Sequence, residues 1–382
     1  MRYSINIACF LLLIFAPLRI GHADTLTTTA KQAIIIDYDT GTVLFEKNAD
    51  EKKPTSSMSK VMTMYVVFDA LKRGDLSLSD ELLVSEKAWK KGGSKMFIEV
   101  GKKVKVEDLI RGVIIQSGND ATIALAEGLA GSEDVFAQAL NRTAKELGMN
   151  DSHFKNASGW PDPDHYSTAR DLATLGTAII KNFPEYYGYY SEKSFKYNNI
   201  TQSNRNPLLN LNIGADGIKT GHTEDGGYGL MASGVDKDDR RVVMVLNGMA
   251  SKNERKTESA RLMQWALNSF KKVSLFEDKS SIVQAPVYLG TSSQVPLVAK
   301  EPVHFVTQKI FSREIKIEVQ YDSPLKAPIS QGQQVGVIKV HIPKGETIEV
   351  PLVAMRNVAE MGFLPKLIQK ARLLTTGEGK FK

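Results

Sequence analysis

The 382-residue chain is 42% hydrophobic and 24% charged and has a formal net charge of +6, a composition typical of a globular protein with one large domain or two. Its positive charge is scattered, and no basic segment interleaved with aromatic residues indicates a nucleic-acid binder. The single cysteine, Cys9, lies in an N-terminal apolar run. Loss of that run would exclude disulfides, zinc–thiolate sites and a cysteine nucleophile. Lipid attachment at Cys9 is disfavoured, because the apolar run continues beyond it.

Residues 1–23 are predicted to be a signal peptide. Arg2 is the only early charge, residues 5–18 are almost wholly apolar, and the small residues Gly21 and Ala23 occupy positions that a signal peptidase reads. We expect cleavage after Ala23, which removes two arginines and lowers the formal charge to +4. The apolar run is shorter than the ~20 residues of a membrane-spanning helix, so the sequence favours removal over a retained anchor.

Residues 24–273 are predicted to form the larger domain. A hairpin begins at Gln32 and turns at Asp39-Thr40-Gly41, with the glycine where the turn needs a positive φ. The segment from Ser57 to Gly74 has almost no polar face, which predicts a buried helix. Further helices are predicted near Val106 to Ile115, Ala121 to Leu129, Glu133 to Leu147 and Ala169 to Lys181.

Strand patterns return after this helical block, at Gly217 to Lys219, Gly227 to Val235 and Arg240 to Asn247. Lys256 to Lys272 is predicted to be an amphipathic helix whose buried side carries Leu262, Trp265 and Phe270. We expect the first hairpin and the later strands to form one antiparallel sheet. The predicted fold class is therefore α+β rather than a series of βαβ units.

Residues 274–356 are predicted to be a small all-β domain, from short alternating runs at Val287 to Leu289, Val303 to Thr307, Ile315 to Tyr321, Val335 to Ile342 and Ile348 to Val353. Residues 357–382 are predicted to be an amphipathic tail, with one apolar helical face formed by Leu364, Leu367, Ile368, Ala371 and Leu374. A basic tail of this kind can lie in a membrane interface, attracted by anionic lipid. The alternative is a helix packed on the β domain.

Three short motifs carry the candidate chemistry, and the first is Ser57-Met58-Ser59-Lys60. A serine hydroxyl needs a base within hydrogen-bond reach, and positions i and i+3 of a helix are neighbours, so Lys60 can serve Ser57 if burial lowers its pKa. The spacing alone is weak evidence, because it also occurs at Ser152 to Lys155, Ser269 to Lys272 and Ser323 to Lys326. Ser57 differs from these in preceding a nearly continuous apolar helix. The alternative role of Ser57 is a helix N-cap.

The second motif, Ser117-Gly118-Asn119, lies between two predicted helices, where Ser117 could relay a proton and Asn119 could bond a substrate amide. The third, Lys219-Thr220-Gly221, should end a strand, with Lys219 and Thr220 binding a carboxylate. The N–H of His222 could complete an oxyanion hole with that of Ser57. Taken singly, the second motif could be a side-chain turn and the third a solvated lysine before a turn.

With these three motifs in this order, the chain resembles the low-molecular-weight penicillin-binding proteins that act as D-alanyl-D-alanine carboxypeptidases. Asp216-Gly217-Ile218 before Lys219, and Ala169-Arg170-Asp171-Leu172, extend the resemblance over nearly the whole chain. It implies a β-lactamase-like α+β catalytic domain, a periplasmic location with peripheral attachment to the inner membrane, peptidoglycan stem peptides as substrates, β-lactams as covalent inhibitors, and no metal or organic cofactor.

The same resemblance implies roles for individual residues. Ser57 would be the acylated nucleophile, Lys60 the general base, Ser117 a proton relay and Lys219 the anchor of the substrate carboxylate. Arg205 and Arg255 are similar to arginines that help to hold that carboxylate.

Two other functions stay open at this stage. A class A-like β-lactamase needs a carboxylate to activate the deacylating water, and the matching Glu-x-x-x-Asn pattern, Glu146 to Asn150, straddles the helix stop at Leu147-Gly148. A non-catalytic, peptidoglycan-binding envelope protein would need neither Ser57 nor Lys60. A metallo-carboxypeptidase is disfavoured, because the six histidines show no metal-ligand spacing.

Overall fold

The computed structural model describes residues 2–6 and 26–368. The chain divides into two compact units with the boundary between Asn268 and Ser269, whereas the sequence placed it after residue 273. Each unit has its own hydrophobic core. In the described part of the chain, every helix is too short or too polar to cross a bilayer.

The elements follow one another as β1 (Arg2–Asn6), β2 (Gln32–Asp37), β3 (Val43–Lys47), α1 (Lys60–Arg73), β4 (Glu81–Leu83), α2 (Glu86–Lys90), β5 (Lys103–Lys105), α3 (Val106–Ile114), α4 (Asn119–Ala130), α5 (Glu133–Glu146), α6 (Ala169–Asn182), α7 (Pro184–Tyr187), β6 (Ser194–Tyr197), β7 (Ile200–Ser203), β8 (Ala215–Thr223), β9 (Gly227–Val235), β10 (Arg241–Met249) and α8 (Lys252–Ser269). The second unit, to which β1 also belongs, continues with β11 (Phe270–Leu275), β12 (Val283–Tyr288), β13 (Gln294–Ala299), β14 (Val303–Gln308), β15 (Lys316–Asp322), β16 (Leu325–Lys326), β17 (Gln334–His341) and β18 (Thr347–Ala354).

An antiparallel sheet in the order β3-β2-β10-β9-β8 forms the centre of the first unit. The N-terminal hairpin therefore joins strands that come nearly two hundred residues later in the chain. Gly41 turns the hairpin with a φ of 70°. These observations confirm the predicted α+β class and the predicted single sheet, with the helices α1 to α7 between its two groups of strands.

Both faces of this sheet are buried: alternate residues of a strand point to opposite faces, and both sets belong to hydrophobic cores. Along β10, Val243 and Val245 belong to the core that the sheet shares with the helical block. Val242, Met244 and Leu246 belong to a separate core that includes residues of α8. The helical block and α8 therefore cover opposite faces of the sheet, which fixes the register of β10.

Several predicted boundaries were wrong in informative ways. The strand expected to end at Lys219 continues to Thr223, because β8 pairs with β9 up to the register Thr223↔Gly227. Phe270 was assigned to the last helix, but it begins β11, where it pairs with Gln308. The helix expected from Ser57 opens with a 3-10 turn, and α1 proper starts at Lys60.

The second unit is built around a sheet in the order β1-β15-β17-β18-β13-β12-β16, with β11 and β14 forming a separate pair. Its core contains buried aliphatic residues of several strands, among them Leu297, Ile338, Val340 and Leu352. The prediction of an all-β domain is therefore confirmed, although the sequence did not reveal β11, β13 or β16.

Residues 363–368 are helical, and the three described members of the apolar face, Leu364, Leu367 and Ile368, are exposed. Ala371 and Leu374, which complete that face in the prediction, lie outside the described residues. Most of the predicted signal peptide, 7–23, lies outside them too. Membrane attachment of the tail and cleavage of the leader thus stay predictions.

Candidate active site

Ser57 lies immediately before α1, in the 3-10 turn Ser56–Ser59. Its side chain is partly exposed, whereas Ser56, Met58 and Ser59 are buried. The tight turn fixes the backbone where the first N–H groups of a helix lack intrahelical partners. Ser57 does not act as an N-cap, since neither the turn nor α1 has a side-chain cap. Its hydroxyl is therefore available for chemistry at the surface of a rigid element.

Lys60 is completely buried, and its amine nitrogen has three oxygen neighbours. Nζ lies 2.9 Å from Ser57 Oγ, 2.7 Å from Asn119 Oδ1 and 2.6 Å from the carbonyl oxygen of Ser158. An ammonium group donates to all three oxygens. A neutral amine donates only to Asn119 and Ser158, and its lone pair then accepts the hydroxyl proton of Ser57. The geometry thus suits Lys60 as a base.

Burial lowers the pKa of Lys60 to about 7, because a charged ammonium loses its hydration inside the protein. The positive charges of Arg205 and Lys91 lower this pKa further, whereas Asp120 and Glu133 raise it. A general base works best when its pKa lies near the working pH. About half of the Lys60 side chains are therefore neutral at about pH 7.

Ser117 and Lys219 meet on the other side of the cleft. Ser117 is buried in the loop between α3 and α4 and has a φ of 58°, an unusual backbone conformation for serine. Lys219 Nζ donates to Ser117 Oγ at 2.9 Å and to the carbonyl oxygen of Thr220 at 3.3 Å. The second and third motifs, more than a hundred residues apart in the chain, are thus directly bonded.

Lys219 is surrounded by other cations. Burial lowers its pKa well below the usual value, and the positive charges of Lys60, Arg205 and Arg255 act in the same direction. Burial also lowers the pKa of both arginines. Within the described part of the chain, neither arginine forms an ion pair with a carboxylate. A cluster of cations without an internal counter-ion is suited to bind an anionic ligand.

The two arginines approach this cluster from different elements. Arg205 Nη1 donates to Ser94 Oγ. Arg255, from α8, is 8% exposed, and its guanidinium lies 5.5 Å from the ring centroid of Tyr228. Its Nη1 donates to the carbonyl oxygen of Gly221 at 3.4 Å, and its buried Nε has no partner in the described structure. Both arginines predicted from the sequence therefore lie at the site.

Asn119 contacts the protein through both ends of its side-chain amide. Its Oδ1 accepts from Lys60, and its Nδ2 donates to the carbonyl oxygen of Gly92 at 2.8 Å. The sequence suggested a bond from this side chain to a substrate amide. The observed contacts orient the amine of Lys60 and hold the loop that contains Gly92, and the bond to a substrate amide stays a prediction.

The rest of the third motif lies beside the nucleophile. A Cβ atom on Gly221 would lie 2.7 Å from the carbonyl oxygen of Thr55, so only glycine lets β8 approach the nucleophile turn this closely. Thr220 is buried. The ring of His222 packs on that of Tyr228, with 3.9 Å between centroids.

Three further contributors were not identified from the sequence. The carbonyl of Ser158 bonds Lys60, and the Asp120 carboxylate accepts from the N–H groups of Met96 and Phe97 at 2.8 and 2.9 Å. His165 Nε2 lies 2.9 Å from the hydroxyl oxygen of a motif residue, Ser59. Asp120 follows Asn119 directly, so only its position next to the motif could have marked it.

Burial lowers the pKa of His165 to about 4. Its imidazole is therefore neutral at the pH where Lys60 is half-protonated, and it supports the motif by a neutral hydrogen bond.

The other sequence matches, Ser152 to Lys155 and Glu146 to Asn150, do not form catalytic arrangements. Ser152 donates its hydroxyl hydrogen bond to Asp171 at 2.7 Å. Helix α5 ends at Glu146, and Gly148 has a φ of 77°, so Glu146 and Asn150 do not share a helix. Across the residues that the structure describes, acidic, histidine and cysteine side chains form no group of three able to hold a metal ion.

Residues 20–250 match the family model for D-alanyl-D-alanine carboxypeptidase, the S11 peptidases, and residues 270–360 match that for the C-terminal domain of penicillin-binding protein 5. The first match covers more than half of the chain. The chain belongs to the D-alanyl-D-alanine carboxypeptidase family of serine peptidases.

Relatives of known structure and function support this assignment. The chain is 39% identical over 368 residues to D-alanyl-D-alanine carboxypeptidase DacC of Escherichia coli, covering 93% of this chain and 92% of the relative. Penicillin-binding protein 5 of Haemophilus influenzae has a similar structure, with a TM-score of 0.74 at 36% identity, covering 89% of this chain and 100% of that one. Penicillin-binding protein D2 of Listeria monocytogenes, solved in its ampicillin-bound form, has a TM-score of 0.58 at 28% identity and covers 63% of this S11 chain and 98% of its own.

Proposed function

We propose that this S11 peptidase removes the terminal D-alanine from peptidoglycan pentapeptides through an acyl-enzyme on Ser57. The proposal rests on a chain of hydrogen bonds that connects the nucleophile Ser57, the base Lys60 and the cation Lys219 through the second motif. Ser57 Oγ lies 2.9 Å from the amine of Lys60, Asn119 links Lys60 to the second motif, and Lys219 bonds Ser117.

In the acylation step, neutral Lys60 accepts the hydroxyl proton of Ser57 as Oγ attacks the carbonyl carbon between the two D-alanines. The backbone N–H groups of Ser57 and His222 are proposed to stabilise the resulting oxyanion. The C–N bond then breaks, and the proton held by Lys60 passes through Ser117 to the leaving amine, so that Lys60 is neutral again. An ester on Ser57 and free D-alanine are the products.

In the deacylation step, water attacks the ester carbonyl while the Lys60 amine accepts its proton. The C–O bond to Ser57 breaks, and the proton returns to Oγ. One water molecule is consumed for each D-alanine released. The enzyme recovers its starting state without any redox change, so the reaction requires no electron carrier.

The terminal carboxylate of the substrate is proposed to bind Lys219, Thr220 and the two arginines. A carboxylate neutralises the repulsion among these cations, so its binding is favoured by charge as well as by hydrogen bonds. The carboxylate of a β-lactam would bind in the same place, with its strained amide at Ser57. Penicillins are therefore expected to acylate Ser57 as covalent inhibitors.

The two other functions considered from the sequence are not favoured. The chain offers no helix that could position Glu146 and Asn150 to activate a deacylating water, as a class A-like β-lactamase requires, because the two residues lie on either side of a helix end. A binding protein without catalysis gains nothing from a buried amine with a lowered pKa next to a serine, since such burial costs free energy.

Mass spectrometry after incubation with penicillin tests the nucleophile. We expect the wild type to gain the mass of one penicillin, Ser57→Ala to gain none, and the matched control Ser152→Ala to gain it as the wild type does. Release of D-alanine from a pentapeptide should disappear in the same variant. A mass gain that survives in Ser57→Ala would place the nucleophile elsewhere.

The protein is further proposed to be exported to the periplasm and held at the inner membrane by its tail. The apolar leader and the exposed side chains of Leu364, Leu367 and Ile368 support this proposal. Truncation before Met361 should move the protein from the membrane fraction to the soluble fraction. Unchanged fractionation would reject attachment by the tail.

A further inference from the structure

Trp160 is 41% exposed and lies in the loop between α5 and α6, one of the few large apolar side chains of the first unit that face solvent. Its backbone is held mainly by Asn156, and its N–H also donates to Ser158 Oγ at 3.3 Å. The N–H of Trp160 donates to Asn156 Oδ1 at 2.9 Å, and its carbonyl accepts from Asn156 Nδ2 at 2.9 Å. The main chain of Trp160 is therefore fixed, and its indole stands at the surface without being buried.

The ammonium of Lys91 lies 4.3 Å from the centroid of the Trp160 ring. Three neighbouring lysines have oxygen partners: Lys87 pairs with Glu133 at 2.9 Å, Lys90 with Glu86 at 2.5 Å, and Lys95 with the carbonyl of Trp89 at 2.6 Å. In the described structure Lys91 has no such oxygen partner. An exposed aromatic side chain and an ammonium available to bind an anion thus occur together.

This pair borders the catalytic residues. A Cβ atom on Gly93 would lie 2.9 Å from Asn119 Nδ2 and 3.1 Å from the Trp160 ring, so the indole and Asn119 approach the same glycine. The residue two before Trp160, Ser158, bonds Lys60 through its carbonyl. Trp160 and Lys91 therefore lie on the Lys60 and Asn119 side of the cleft.

We propose that Trp160 and Lys91 form a subsite for the side chain of the residue that precedes D-Ala-D-Ala in the substrate. The subsite would select an aliphatic side chain that ends in a carboxylate. This inference rests on the proposed function. If Lys219 and the arginines hold the terminal carboxylate, the part of the peptide before the scissile bond must extend from Ser57 in another direction. The aliphatic part of that side chain then packs on the indole face, and its carboxylate binds the ammonium of Lys91.

Two tripeptides that differ by one carboxylate test the subsite. Nε-succinyl-lysyl-D-Ala-D-Ala carries the acid, and Nε-acetyl-lysyl-D-Ala-D-Ala is its neutral match. We expect the wild type to prefer the succinyl peptide in kcat/KM by roughly five- to tenfold, the size of an exposed ion pair supported by an aromatic contact. Lys91→Gln should reduce this ratio to about one, and Trp160→Ala should lower kcat/KM for both peptides because the stem loses its packing surface.

Because both peptides are compared in the same variant, the ratio of their kcat/KM values cancels any effect of Lys91 on the base Lys60. Lys95→Gln, on the same loop but bonded to a carbonyl, is the matched control and should keep the wild-type ratio. A ratio unchanged in Lys91→Gln would overturn the subsite while leaving the carboxypeptidase assignment intact. Failure of the wild type to release D-alanine from either peptide would overturn the proposed function, and the subsite with it.

Discussion

The pH dependence of acylation follows from the buried base. Only neutral Lys60 can accept the proton of Ser57, and its pKa is about 7. At about pH 5 roughly 1% of the amine is neutral, so acylation by penicillin should be about 100-fold slower than on the plateau above about pH 8. The rate should fall about tenfold per pH unit below the pKa. A lysine with an ordinary pKa would keep the rate rising throughout this range.

Lys91→Gln distinguishes Lys60 from the second buried lysine. Lys91 lowers the pKa of Lys60 by its positive charge, whereas the charges that lower the pKa of Lys219 belong to Lys60, Arg205 and Arg255. Removal of the charge at position 91 should raise the pKa of Lys60 and move the acid limb to higher pH.

The measurement is the second-order rate constant for acylation by a fluorescent penicillin, in stopped flow, from about pH 5 to about pH 9, at constant ionic strength. An acid limb that keeps its position in Lys91→Gln would show that another group controls the reaction. A rate that is flat from about pH 5 to about pH 8 would refute Lys60 as the titrating base.

Three substitutions test other parts of the argument. Lys60→Arg keeps the charge but cannot lose its proton, so the acylation rate measured by stopped flow should fall by about 10²- to 10⁴-fold; near-normal acylation would show that no base is needed here. Gly159 has a φ of 73°, and a Cβ atom there would lie 2.0 Å from the carbonyl oxygen of Ser56. Gly159→Ala should therefore lower the free energy of unfolding in urea by at least about 2 kcal/mol, and a change below about 0.5 kcal/mol would contradict the described loop. Arg240→Met leaves the buried carboxylate of Asp37 without its ion pair at 3.2 Å and should destabilise the protein by about 3–5 kcal/mol in the same assay, whereas a stabilised variant would mean that the pair costs more than it contributes.

The sequence predicted the site better than the boundaries of its elements. Ser57, Lys60, Ser117 and Lys219 were found because each belongs to a motif, and the structure brings the four together. The end of β8 was misplaced because Gly221 resembles a turn signal, while pairing with β9 overrides that local preference. Cross-strand pairing is a long-range property, which a local pattern does not contain.

Except for Asp120, which lies in α4, the contributors that escaped detection share one property. Ser158, Ser94 and Trp160 lie in irregular loops, where no periodicity marks a residue, and they reach the site only through tertiary contacts. The strand β13 was missed because Pro296 interrupts its alternation, although it lies in the interior of the second sheet.

The strand that carries Lys219 is the last in its sheet, with β9 on one side only. In the described part of the chain no strand pairs with its outer edge, which is therefore suited to pair with an extended peptide, as the edges of open sheets do in other recognition systems. Every residue type except proline supplies the same main-chain N–H and C=O groups, so a substitution in β8 to any other residue leaves that pairing possible. A variant of β8 that keeps the strand therefore changes side-chain contacts to the ligand, such as those of Lys219, and leaves this main-chain pairing in place.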